Sequence, residues 1–441
     1  MKLLFTQDAL VNAGAERSHL EILSRFSPDV EVVFVYFYPK HDLKEEYQDA
    51  GIRLHFLNIP ESYSFGTAIF HLVRLIRKEK PDLLVSSLYR ADIITRFAAL
   101  ITGVPLVGTL VNDSYGPFAR KEKPGFKYQL VYLFDRWTAG IPIHWIANAE
   151  SLVDSHVKTL GLKRDKISVV YRGRNVPPPR SVSPQTETTE KKIMACEDTV
   201  HGEVPVIART AGTKQSDSGE QRSRLLSGEI ERLEDKRPEI ERLSVNKNKN
   251  DEKRAFRFLS YGRLLERKGF QEAILAFSEV VRHYPDCTLT IYGEGPYRAH
   301  LERLISKLGL QEKVILPGKI TDPHCLLLLP TAHCFLFPSW YEGFSGALVE
   351  AMMAGIPIIA SDISMNLEAV TADKNALTFP VKDVGALTQK MLYAIENPDR
   401  MAEFGKAARI EAIQRFDIEK IAKEYEGVLH VIQKNLTPAL S

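Results

Sequence analysis

The chain has 441 residues, 44% hydrophobic and 26% charged, an ordinary globular composition that at roughly 150 residues per domain makes two or three domains. Lys and Arg number 58 against 56 for Asp and Glu, a net charge of +2, which excludes a broad phosphate-neutralising surface and with it bulk nucleic-acid binding. Four cysteines, at 196, 287, 325 and 334, are too few for a disulfide framework and point to a reducing compartment, the cytoplasm.

The first element is an apolar run at residues 2–6. It stops far short of the roughly 7–15 apolar residues of a signal-peptide core and reads as a buried strand. No stretch reaches the ~18 apolar residues of a spanning helix, so any membrane contact is expected to be peripheral. Further continuous apolar runs at 30–36, 83–87, 106–111, 143–147 and 167–171 predict strands buried on both faces, the mark of a parallel sheet covered by crossover helices. Residues 1–175 are therefore read as one doubly wound α/β domain. Residues 181–254 contain no Phe, Tyr or Trp and are rich in Ser, Thr, Glu, Lys and Asn, so 176–254 is expected to be a flexible, low-complexity insert or linker, tolerated at the surface or regulatory. The pattern then restarts, with strands predicted at 256–261, 288–292, 314–316, 334–337, 357–360 and 377–379 and helices at 270–283 and 297–308. This second α/β domain is placed at 255–420, followed by a C-terminal helix and tail at 421–441.

In open parallel sheets ligands sit beyond the carboxyl ends of the strands, so the loops after strands are where chemistry is sought. After the first strand, Asn12-Ala13-Gly14-Ala15-Glu16-Arg17 places Gly14 just ahead of a helix whose first amides can hold an anion. An ordinary turn has the same look. In the second domain Tyr261-Gly262-Arg263-Leu264-Leu265-Glu266-Arg267-Lys268-Gly269 sets Arg263 and Lys268 at the sheet edge, where two cations suit a diphosphate and need no metal, unless the loop is merely solvated. The segment from Phe337 to Pro357 ends a strand, allows tight backbone at Gly343 and Gly346, and continues as a helix stopped by Gly355. Glu342 precedes that helix and Glu350 lies about a turn inside it. Carboxylates there can accept from sugar hydroxyls while the helix N-terminus favours phosphate.

With these residues in view, the chain resembles the retaining glycosyltransferases of family 4, over everything but the insert and the extreme C-terminus. The Glu-x7-Glu pattern is matched by Glu342 and Glu350 within EGFSGALVEAMMAGIPIIASD, the family's glycine-rich lysine loop by YGRLLERKG, its G-x-G-P turn by Gly293-Glu294-Gly295-Pro296, and its GGAER loop by AGAER, with Ala13 in place of the first glycine. The resemblance implies the GT-B fold, two Rossmann-like doubly wound parallel-sheet domains facing a cleft. It implies a nucleotide-sugar donor, UDP-sugar or GDP-mannose, with Glu342, Arg263 and Lys268 as catalytic residues and Gly14, Gly262, Arg263, Lys268, Glu342, Gly343, Phe344, Ser345 and Glu350 binding the donor. No metal and no cofactor is expected. The acceptor is expected to be a glycan, lipid-linked or free, in polysaccharide or glycolipid synthesis.

Two departures bear on activity. A histidine common in the family's first domain is replaced at Val111, and its Asn-Gly-Val-Asp loop by Arg172-Gly173-Arg174-Asn175. They motivate the alternative of a GT-B binding or scaffold protein that has lost turnover. The repeated His324-Cys325 and His333-Cys334 pairs lack the short spacing of zinc ligands and are read as packing. Finally, residues 118–137 join Arg120, Lys121, Lys123 and Lys127 to an aromatic and aliphatic run, which suits an anionic membrane surface or a core helix with a charged entry.

Overall fold

The computed structural model describes residues 1–60, 65–116, 119–120, 125–178, 255–319 and 332–436. Nearly all of the insert, the pair His324 and Cys325, and Phe118, Lys121 and Lys123 lie outside the described residues. The described residues fall into two compact units: 1–176 with 342–349 and 413–436, and the remainder.

The first unit holds β1 (Lys2–Gln7), α1 (Gly14–Leu23), β2 (Glu31–Tyr36), α2 (Lys44–Asp49), β3 (Arg53–Phe56), α3 (Phe65–Glu79), β4 (Leu83–Ser87), α4 (Tyr89–Thr102), β5 (Leu106–Leu110), α5 (Phe126–Thr138), β6 (His144–Ala147), α6 (Glu150–Leu160) and β7 (Ile167–Val169). All pairings are parallel, in the order β3-β2-β1-β4-β5-β6-β7. The continuous apolar runs are explained by the two faces: Leu3 and Phe5 feed a core with α1, while Leu4 between them feeds another with α3 and α4. β3 escapes the apolar-run criterion because it is an edge strand, half exposed, with Arg53 and His55 in its four residues.

The second unit holds β8 (Arg257–Tyr261), α7 (Phe270–His283), β9 (Thr288–Tyr292), α8 (Arg298–Lys307), β10 (Val314–Ile315), β11 (Cys334–Phe337), β12 (Ile358–Ser361), α10 (Ser364–Ala369), β13 (Leu377–Phe379) and α11 (Val384–Glu396), with α9 (Gly346–Ala354) and α12 (Pro398–Phe416) divided between the units. Its six strands are parallel in the order β10-β9-β8-β11-β12-β13. α7 shows why such helices form here. Phe270, Ala273, Ile274, Phe277 and Val280 recur at helical spacing and are all buried, each large one worth roughly 1.5–3 kcal/mol over exposure. Pro285 then disfavours helix at Tyr284, and α7 stops at His283.

The last helix, α13 (Ile418–Leu436), packs into the first unit, with Ile418, Ile421, Ala422, Tyr425, Leu429 and Ile432 in the same core as β1. The GT-B architecture of two parallel-sheet α/β domains is thus present, and residues 413–436 group with the N-terminal residues rather than with the second domain.

Helix α5 divides sharply. Tyr128 and Tyr132 pack inward, and Asp135 is buried against Arg96, while Phe126, Leu130, Leu133, Phe134 and Trp137 form an exposed stripe. Phe126 is 77% and Trp137 74% exposed, so the core-helix reading of 128–137 holds for one face only. No helix among the described residues is long and apolar enough to cross a membrane.

Candidate active site

Both sheets reverse strand order once, between β1 and β4 and between β8 and β11, and such switch points are where parallel sheets bind ligands. In the second unit the loops leaving β8 and β11 are locked together. Trp340 N donates to Arg267 O at 2.8 Å, and the Arg267 guanidinium lies 4.9 Å from the Tyr341 ring centre. Gly269, at φ +70°, brings its Cα against the Pro338 carbonyl so closely that any Cβ would strike it. Arg263 is exposed at this edge, and the Lys268 ammonium sits 6.0 Å from the Phe337 ring centre. Gly262 N donates to Tyr292 O at 3.0 Å. The Gly293-Glu294-Gly295-Pro296 turn backs the same loop: Leu264 N donates to Glu294 O at 2.9 Å, and Gly295 leaves room for the Leu264 backbone.

Glu350 is buried on α9, and its Oε2 accepts from the Tyr261 hydroxyl at 2.6 Å. An anchored carboxylate keeps one orientation toward a ligand at the edge of β8.

In the first unit Glu342 is buried beside the positive charge of Arg172. Arg172 is held in turn: with the Asn148 amide oxygen facing it, that oxygen accepts from Nε and Nη2 at 3.0 and 3.2 Å. Burial pushes the Arg172 pKa down to about 10, with Arg174 adding repulsion and Glu342 and Glu16 opposing, so it stays charged at neutral pH. Gly14 lies against the same guanidinium, 3.2 Å from where its Cβ would stand. Gly343 gives passage to the Val111 carbonyl and Gly346 to the Arg174 guanidinium. Ser345 O accepts from Val349 N at 3.3 Å as α9 begins. Phe344 is wedged between the rings of Tyr171 and Phe416, at 5.0 and 5.2 Å, so its side chain serves packing.

The structure therefore gathers Gly14, Glu342 and Gly343 around Arg172 in one unit and Gly262, Arg263, Lys268 and Glu350 at the β8–β11 edge of the other. Sequence reasoning singled out neither Arg172, Asn148 nor Glu16 as functional. Glu16 is buried, which raises its carboxyl to about 7. The only signal was the altered 172–175 loop, whose Arg174 also binds Glu21 Oε2 at 3.1 Å and Ser18 Oγ at 3.2 Å. Among the described residues no group of three or more His, Cys, Asp or Glu is placed to hold a metal ion. His333 Nδ1 accepts from Arg257 N at 3.1 Å, and Cys334 is buried in β11.

Two family models match in sequence order: glycosyltransferase family 4 over residues 13–176 and glycosyl transferases group 1 over residues 241–411. An uncharacterised glycosyltransferase of Methanocaldococcus jannaschii is 29% identical over 204 residues, 40% of this chain and 49% of that protein. Glycogen synthase of Mycobacterium tuberculosis is 30% identical over 164 residues, 37% of this chain and 40% of that protein. The chain spans about half the length, or less, of these curated relatives. Among solved structures, Anabaena HepE in complex with UDP-glucose matches with a TM-score of 0.69 and 18% identity, over 98% of this chain and 100% of that one, a likeness of fold. The sheet topology and the likeness to HepE give the GT-B fold, and the two family matches lie in it in sequence order. Over these two segments the chain resembles the group 1 glycosyltransferases of family-4 type.

Proposed function

We propose that the protein moves a sugar from a nucleotide-sugar, a UDP-sugar or GDP-mannose, to a hydroxyl of a glycan acceptor, lipid-linked or free, with retention of configuration. The observation that carries this reading is the Glu342–Glu350 pair. Both carboxylates are buried, Glu350 anchored by Tyr261 and Glu342 beside Arg172, in the order and spacing at which family 4 meets sugar and ribose. Buried carboxylates of this kind are strong acceptors for sugar hydroxyls.

In this reading Arg263 and Lys268 bind the diphosphate. Their positive charge stabilises what develops on the phosphate as the bond to the anomeric carbon breaks, so the reaction runs without a metal. The acceptor hydroxyl attacks the same face, forming the new C–O bond, and its proton passes to the leaving phosphate oxygen. No protein nucleophile is required. Glu350 fixes the ribose, Glu342 the donor sugar, and the backbone at Gly14, Gly262, Gly343, Phe344 and Ser345 lies against the donor. The supporting HepE structure contains UDP-glucose. Release of UDP or GDP from a panel of nucleotide-sugars tests the reading, and a folded chain that releases neither is the binding or scaffold protein instead.

The acceptor side is proposed to meet the cytoplasmic face of an anionic membrane through 118–137. Support comes from the exposed stripe on α5, from exposed Arg136 next to Trp137 in sequence, and from the inward turn of Asp135, the one acidic residue of α5. Cations near such a surface contribute about 1 kcal/mol each, and exposed aromatics suit the headgroup layer.

A further inference from the structure

Arg172 follows β7 at the carboxyl edge of the first sheet, and its guanidinium is held in one orientation. With the Asn148 amide oxygen facing it, Nε and Nη2 donate to that oxygen at 3.0 and 3.2 Å, and Nη2 also points at the Val111 carbonyl, 3.5 Å away. The same carbonyl is where Gly343 makes its close approach, since a Cβ there would strike the oxygen. One carbonyl thus joins Arg172 to the residue after Glu342. Further along, the Arg174 guanidinium fills the space that a Cβ on Gly346 would need. The two arginines clasp residues 342–346.

The charges nearby make Glu342 the counter-ion of Arg172. Arg172 stays a cation at neutral pH, and of the three carboxylates that attract it, Glu342 acts most strongly, ahead of Glu16 and Glu21. Glu21 Oε2 is paired with Arg174 Nη1 at 3.1 Å. Burial raises Glu16 to about 7, so near neutrality it is charged only part of the time. Glu342 is itself buried, and a buried carboxylate needs a cation beside it to remain ionised at little cost.

We propose that Arg172 is the positioning residue for Glu342: anchored on Asn148 and Val111, it fixes where the Glu342 carboxylate lies before a donor sugar arrives. The assignment rests on the sugar-transfer reading above. A carboxylate set in place beforehand meets the sugar hydroxyl without reorganising at the moment of reaction. Arg172 acts through Glu342 and is assigned no contact with the donor, so its loss should be felt in turnover and not in nucleotide affinity.

Two measurements on the full chain test this: nucleotide release from a panel of nucleotide-sugars with UDP and GDP affinity followed in parallel, and a urea-unfolding cycle. Arg172→Gln should cut turnover about tenfold while UDP and GDP bind nearly as well as to the wild type. In unfolding, Arg172→Gln and Glu342→Gln combined should depart from additivity by at least about twofold in the folding constant, as expected of residues in contact. If Arg172→Gln does not fold, Asn148→Ala, which releases the guanidinium but keeps its charge, takes its place in both measurements. Unchanged turnover, or additive unfolding, overturns the proposal. So does a parallel loss of turnover and nucleotide affinity, which would put Arg172 on the diphosphate. A wild-type chain that releases no nucleotide from any donor refutes the sugar-transfer reading instead, and the unfolding cycle still decides whether Arg172 holds Glu342.

Discussion

The Tyr261 hydroxyl at the end of β8 donates to Glu350 Oε2 on α9 at 2.6 Å, with both groups buried. A strand and a helix 89 residues apart are thereby joined at the carboxylate proposed to hold the ribose. Glu350→Gln should weaken UDP or GDP binding by about tenfold or more, because hydrogen bonds to a charged group contribute about 1.5–3 kcal/mol. Tyr261→Phe removes only the anchor and should weaken binding by a smaller factor. Calorimetric titration checks both, and equal affinity in all three proteins would remove Glu350 from the nucleotide site.

Arg263 and Lys268 carry the diphosphate in this account. Replacing either by Ala should raise the barrier by about 2–4 kcal/mol, and EDTA should leave wild-type turnover intact. Full activity in both single variants rules out the assignment, while loss of turnover on chelation rules out the metal-free mechanism.

Glu16 and Asp92 make stability depend on pH. Burial raises each carboxyl to about 7, above the ordinary value near 4. The folded chain then holds protons that the unfolded chain releases, so this stabilisation is complete below about pH 4 and is lost as pH rises through about 7. Urea midpoints should fall between about pH 5 and pH 8, and Glu16→Gln should flatten that fall by on the order of 1–2 kcal/mol. Parallel pH curves for the two proteins would show that Glu16 is ionised in the folded state.

If the α5 stripe meets lipid, the chain should co-sediment with anionic vesicles at low salt and be released as salt screens the charges. Changing Leu133 and Trp137 together to Ser should reduce binding without lowering the melting temperature, since both are exposed. Wild-type protein that stays in the supernatant at low salt removes the membrane from the account.

What could be read in the chain was local. Strands 288–292, 334–337 and 377–379 and helix 270–283 coincide with β9, β11, β13 and α7 because each is an uninterrupted apolar run or a clean helical repeat. Glu342 and Glu350 stand out because one short segment contains both. What could not be read is nonlocal. Gly343 and Gly346 announce close approach, yet the groups they admit, the Val111 carbonyl and Arg174, lie more than 170 residues away in sequence. Arg172 gains its place only when Gly14, Asn148 and Glu342 surround it. The outward face of α5 is equally invisible, since aromatic density does not say which side of a helix is covered.

The central claim is that Glu342 acts on a donor sugar. The direct measurement is release of UDP or GDP from a panel of nucleotide-sugars by the wild-type chain and by Glu342→Gln, with UDP and GDP affinity and melting temperature followed in parallel. The account predicts slow release from at least one donor by the wild type, and turnover reduced at least tenfold in Glu342→Gln, with nucleotide affinity and melting nearly unchanged. Release from no donor, or a Glu342→Gln variant that differs from the wild type only by melting earlier, would contradict it.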